Sequence, residues 1–204
     1  MAVAVVGAAL LQVVTPHRGR LPGWWLFPIL ELALLVVVFV QDPGRIDDRT
    51  QLARTLTIAL ITVMTIGTLG AAAVLTYDIL TGHPSISATD LLGRGAAVWV
   101  NNVIVFSLWY WEFDRGGPAA RAADSDAPIS FAFAEDAMPE LVEEGWRPRY
   151  PDYLYLGFTN ATAFSPTDTM PIKTWAKMAM LLQSAISLTV AILVIARAIN
   201  VLPG

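Results

Sequence analysis

The sequence predicts an all-α integral membrane protein with four or five transmembrane helices and one re-entrant segment. Three observations carry that reading. Of the 204 residues, 55% are hydrophobic and only 15% charged, whereas soluble domains carry about 25% charged residues. Mean hydropathy is +0.57. The apolar residues also fall in long blocks, several near the length of about 20 that a helix needs to cross a bilayer. The lipid bilayer is therefore the expected partner, and a multi-pass place in the cell membrane the expected localisation.

Taken in order, the helices fall at about 1–15, 23–41, 52–81 and 88–111, all within residues 1–111. The opening MAVAVVGAALLQVV lacks a positive leader region and a small-residue cleavage site before His17–Arg20, so it reads as a short first span. A cleaved or interfacial segment is the alternative. Trp24 and Trp25 open the second block, where aromatic rings favour the membrane boundary, and Asp42-Pro43-Gly44 closes it. The third holds Thr57, Thr62, Thr65, Gly67, Thr68 and Gly70, small residues that let helices approach closely in lipid. The fourth ends in Trp109-Tyr110-Trp111, read as interface anchors, with Glu112, Asp114 and Arg115 as a solvated helix end.

A polar loop follows at 112–152. It holds ten of the seventeen acidic residues against four arginines, and Gly116-Gly117-Pro118 breaks any helix there. Residues 119–128 read as flexible, and the acidic loop is a candidate docking surface for a protein partner. The re-entrant segment occupies 153–171 and the last helix 172–202. Lysine and arginine are more numerous on the side of the large loop, which favours a cytoplasmic loop under the positive-inside rule. Several of those charges sit in a segment expected to fold, so the direction stays open.

Whole classes of chemistry are absent. With no cysteine, disulfides, thiolate metal sites and cysteine nucleophiles are excluded. His17 and His83 are far apart, each beside a proline, so no metal site and no cofactor are expected. The net charge of -4 leaves no basic footprint for nucleic acid. No Ser/His/Asp set, HExxH or phosphate loop occurs, and an enzyme is not expected.

Residues 151–171 carry the functional question. After Pro151, the residues Tyr153, Leu154, Leu156, Gly157 and Phe158 suffice for about two helical turns, too short to span a membrane. Thr159, Asn160, Thr162, Ser165, Thr167 and Asp168 follow, broken by Pro166, before Pro171 and the last helix. Short helix, polar stretch, proline and long helix are the parts of a re-entrant loop. Such backbone is tolerated at membrane depth only where protein or water covers it.

Residues 153–201 resemble the pore loop and inner helix of potassium channels, with Phe158, Thr162, Asp168 and Pro171 matching that pattern without a gap. The resemblance implies a filter opened by Thr162 and closed by Asp168. The whole chain also resembles a group of multi-pass membrane proteins of actinobacteria, which supplies no function. The departure lies in the filter. Where channels carry Thr-Val-Gly-Tyr-Gly, this chain has Ala163-Phe164-Ser165-Pro166-Thr167, so a ladder of inward carbonyls is not expected.

The sequence thus supports a channel-like protein that passes ions or small polar solutes through a non-consensus filter, as a homo-oligomer around the pore. Its pore-lining candidates are Thr159, Asn160, Thr162, Ser165, Thr167 and Asp168. The alternative is a non-conducting scaffold or accessory subunit in which the segment is a structural plug, its hydroxyls capping the next helix. Elsewhere in the apolar blocks, Glu31, Asn101, Asn102 and Gln183 stand out. A carboxylate near mid-membrane must face protein or water, and Arg94, Asn101 and Asn102 are candidate partners for Glu31. Asn101 and Asn102 themselves read mainly as interhelical hydrogen-bonding groups.

Overall fold

A computed structural model describes residues 2–14, 26–41, 51–81, 87–123, 126–162 and 168–201. The chain is largely helical: α1 (Ala2–Val14), α2 (Leu26–Gln41), α3 (Gln51–Thr81), α4 (Ala88–Phe113), α5 (Pro118–Ala122), α6 (Ala134–Ala137), α7 (Tyr150–Ala161) and α8 (Thr174–Val201). Two three-residue strands, β1 (Phe131–Phe133) and β2 (Thr169–Pro171), pair antiparallel, an element the all-α expectation lacked. Among the described residues three helices, α3, α4 and α8, are long and apolar enough to cross a membrane. Of these α4 is the most enclosed, with 61% of its apolar stretch buried against 33% for α3 and 28% for α8. It is the axis of the molecule.

Paired contacts give the directions. Arg54 meets Glu112 at 3.8 Å and Asp78 meets Arg94 at 3.0 Å, so α3 and α4 are antiparallel. Trp175 packs edge-on to Phe113 at one end of α4, and Gly95 lies against Val194 at the other, so α8 is antiparallel to α4 as well. A Cβ on Gly95 would come within 2.8 Å of Val194, which is why glycine stands there. Ser87 caps α4 by accepting the Asp90 N–H at 3.1 Å. Val5 and Ala8 of α1 and Leu35 of α2 share a cluster with Leu60, Met64, Val105 and Leu108. Both short helices therefore pack toward the end of the bundle where α4 finishes.

That end carries a cap, and here the loop expected at 112–152 is corrected. Beyond α4 a 3-10 turn (Asp114–Gly116) reverses the chain, with Arg115, Gly116 and Gly117 at φ of 50°, 76° and 97°. The reversal returns the chain so that buried Asp114 accepts the N–H groups of Ser130 and Phe131 at 2.7 and 3.2 Å. Far from a solvated helix end, Glu112 and Asp114 are both fully buried. Tyr110 is corrected too: it is buried against Phe131 rather than placed at an interface, and Trp109 donates to the Thr65 hydroxyl at 2.9 Å.

Candidate functional site: a half-length helix set into the bundle

The helix α7 begins at the cap end and runs antiparallel to α4 for about half its length. Tyr150 contacts Ser107 at 3.1 Å and Trp111 edge-on. One turn from its far end, Gly157 lies over the Val103 carbonyl, and Ala161 reaches Trp99. Its twelve residues rise about 18 Å, well short of the roughly 30 Å of a hydrocarbon core. The helix is longer than the two turns expected because Pro151 sits in its first turn and Asp152 accepts the Arg149 N–H at 2.6 Å. The chain is back at the cap end by β2, which is hydrogen-bonded to β1.

A helix that ends inside a bundle leaves its last four carbonyls without intrahelical donors. Here each has one. Phe158 O accepts the Thr162 N–H at 3.1 Å, and Thr159 O the Thr162 hydroxyl at 2.8 Å. Asn160 O accepts from Ser184 at 3.1 Å, and Ala161 O takes the Trp99 indole at 3.4 Å.

A buried network fixes α7 between α4 and α8. Gln183 Oε1 accepts from the Tyr110 hydroxyl at 2.6 Å and from Asn160 Nδ2 at 2.7 Å, while its Nε2 donates to Gly157 O at 2.8 Å. Asn160 Nδ2 also donates to Met180 O at 2.9 Å. Asn102 Nδ2 donates to Gln183 O at 3.1 Å and to Ser187 Oγ at 2.7 Å. Such groups are costly to leave unpaired where water is excluded, and here side chains from three helices answer one another.

The candidates divide accordingly. Asn160 lies on the buried face of α7, turned into α8. Thr159 and Thr162 are half-buried and follow exposed Tyr155 at i+4 and i+7, so the three share the open face of the helix. Exposed Asp168 lies close to the Tyr155 side chain on that face. Ser165 and Thr167 lie outside the described residues, as does the whole stretch 163–167. Asn102 and Gln183 meet in the network, Asn101 is buried on another face of α4, and Glu31 is fully buried within the bundle. Of the partners expected for Glu31, Arg94 bonds Asp78 and Asn102 bonds α8.

Above α7 the cap forms a second polar centre, which sequence reasoning missed. Asp114 Oδ2 accepts the Tyr153 hydroxyl at 2.7 Å and Arg115 Nε at 3.3 Å. Arg121, also buried, donates to Asp114 O at 2.7 Å and stacks over Tyr153 and Trp111, 5.1 and 5.7 Å from the ring centroids. Burial pushes its pKa below the ordinary arginine value, against the pull of Tyr153, Asp114 and Glu112. Arg147 in turn donates to the Arg121 carbonyl. Arg115 ties Asp136 at 2.5 Å, and Asp136 accepts the Phe133 N–H. On the outer side a cleft of about 550 Å³ is lined by Glu135, Asp136, Glu140, Glu143, Glu144 and Trp146, among others. No group of three or more His, Cys, Asp or Glu side chains placed to hold a metal occurs among the described residues.

No protein-family model matches the chain, and no curated protein or solved structure is similar enough to show kinship.

Proposed function

We propose that this chain is a multi-pass protein of the cell membrane that passes ions or small polar solutes, with α7 as a re-entrant half-helix. The observation that supports it is the position of the C-terminal end of α7, halfway along α4 between two membrane-length helices. A helix C-terminus carries about half a negative charge, so at that depth it favours a cation. The open face of Tyr155, Thr159 and Thr162, with Asp168 at its cap end, is the polar surface such a route would use. One half-helix lines one side of a path, so several copies around an axis are needed to close it. The resemblance of residues 153–201 to a channel pore loop points the same way.

The second reading, a non-conducting scaffold or accessory subunit, draws on a different observation. Asn160 and every terminal carbonyl of α7 are already satisfied inside the chain, as a structural plug requires. In that reading the acidic cleft of the cap docks a protein partner.

Purified protein reconstituted in liposomes separates the two. A channel gives flux of potassium, sodium or a small polar solute above empty vesicles, together with an oligomer in native mass measurements. A monomer with no flux for any of them leaves the scaffold.

A further inference from the structure

The start of α8 carries two cations at the head of an apolar stripe. Lys173, Lys177, Leu181, Leu188 and Ile195 recur at helical spacing, so at about 100° per residue they fall within a sector about 80° wide. The register holds from the first turn, because the Lys177 N–H bonds Lys173 O at 3.2 Å. Lys177 is exposed and Lys173 half-buried, while Leu181, Leu188 and Ile195 are 65%, 51% and 54% exposed. Among the described residues neither lysine forms an ion pair or a side-chain hydrogen bond.

Trp175 sets the depth of the two charges. It lies between them in sequence and packs edge-on to Phe113 and Phe131, at 5.7 and 5.6 Å, where α8 leaves the cap. A half-buried indole at the start of a membrane-length helix marks the boundary between headgroups and acyl chains. Leu181 and Leu188 lie about 6 and about 16 Å further along the axis than Lys177, which is the depth of one leaflet of a core about 30 Å thick. On the cap side of the boundary, Met170 and Ile172 are 64% and 53% exposed at alternate positions of the chain that enters α8. Apolar surface therefore flanks the lysines both above and below.

We infer that this stripe binds one anionic phospholipid, with its phosphate at Lys173 and Lys177 and an acyl chain along Leu181 and Leu188. The inference rests on the membrane reading above and is independent of whether the protein conducts. Charge selects the headgroup. A zwitterionic lipid brings its own cation to its phosphate, whereas an anionic one leaves a net charge for two unpaired ammonium groups. Lysine stems also bury their methylenes against apolar surface and carry the ammonium out to headgroup level. An acidic protein segment would match the lysines but not the apolar stripe that continues below them to leaflet depth.

The test titrates the intact protein in neutral detergent with phosphatidylglycerol or phosphatidylcholine of the same acyl chains, and native mass spectrometry counts the bound lipid. The first phosphatidylglycerol should bind at least tenfold more tightly than phosphatidylcholine. Lys173→Gln or Lys177→Gln should each weaken it about fivefold, and the two together about twenty-five-fold, as expected for one lysine at an anionic surface and for two. Arg197→Gln, at the far end of α8 and off the stripe, should keep the parent's preference. Soluble glycerol phosphate at the same concentration should not displace the lipid. Equal binding of the two lipids, a preference that survives the double replacement, or displacement by glycerol phosphate overturns the site. A chain that alkaline carbonate strips from membranes overturns the membrane reading itself, and the site with it.

Discussion

The Tyr153 hydroxyl donates a 2.7 Å hydrogen bond to Asp114 Oδ2, joining the half-length helix α7 to the turn that ends α4. The same carboxylate receives the N–H groups of Ser130 and Phe131. One buried side chain thus closes the cap and sets the entry of α7. Asp114→Ala strands these donors and is expected to destabilise by about 3–5 kcal/mol, as removal of one member of a buried charged set does. Tyr153→Phe leaves the other donors in place and should lose about 1–2 kcal/mol. Thermal unfolding in detergent gives the ranking, and proteolysis within 126–149 should rise for Asp114→Ala alone. Equal effects of the two changes would mean that the carboxylate is not the hub.

Gly95 and Val194 make a reciprocal pair. A methyl on Gly95 meets both Val194 methyl carbons at under 3 Å, so Gly95→Ala should destabilise by about 1–3 kcal/mol through overpacking. Adding Val194→Ala makes room and should recover at least half of that loss. The signature is a coupling energy in the double-mutant cycle. Strict additivity would show that the helices separate locally instead.

The Gln183 network predicts a change in accessibility. The chain has no cysteine, so a single one reports cleanly. Ala161→Cys, at a buried position beside Trp99, should react slowly with a soluble maleimide. Combined with Gln183→Leu, which strands Tyr110, Asn160 and the Gly157 carbonyl, the reaction should speed up at least tenfold as the end of α7 loosens. That factor corresponds to about 1.4 kcal/mol of opening, within the range for buried hydrogen bonds. Unchanged labelling would place the hold on α7 in apolar packing.

Much of this arrangement was legible in the sequence, and what was missed has definite causes. The long helices follow from apolar blocks, and the half-helix from Pro151 with a short apolar run. The burial of Asn160 was readable: Tyr153, Leu156, Gly157 and Asn160 fall at helical spacing and form one buried stripe. Trp109, Tyr110 and Trp111 are consecutive helical residues about 100° apart, so they cannot all meet one environment, and Tyr110 turns inward. Asp114 was not readable. Two of its partners are backbone N–H groups sixteen and seventeen residues later, which no side-chain pattern announces. The ribbon of β1 and β2 is equally silent, since three-residue strands have no periodicity to detect.

Selectivity is the prediction that separates a channel resemblance from what this chain is able to build. Tight choice of potassium over sodium rests on rings of backbone carbonyls, which need glycines at alternate places. Ser165 and Thr167 hold those places here, and Pro166 locks its own φ. The groups available on the open face of α7 are the rotatable hydroxyls of Thr159 and Thr162, with Asp168 at the cap end. Flux in liposomes should therefore differ between potassium and sodium by less than about tenfold, or about 1.4 kcal/mol. Asp168→Asn should lower cation flux several-fold at low salt and much less near 1 M, where the Debye length shrinks to about 3 Å. If the route runs along α7 as proposed, Thr162→Val should change the ratio between ions more than the total, because its hydroxyl closes the C-terminal end of α7 on Thr159 O. Strong potassium selection would show that a carbonyl filter forms after all. Parent-like flux from both variants would move the route away from α7.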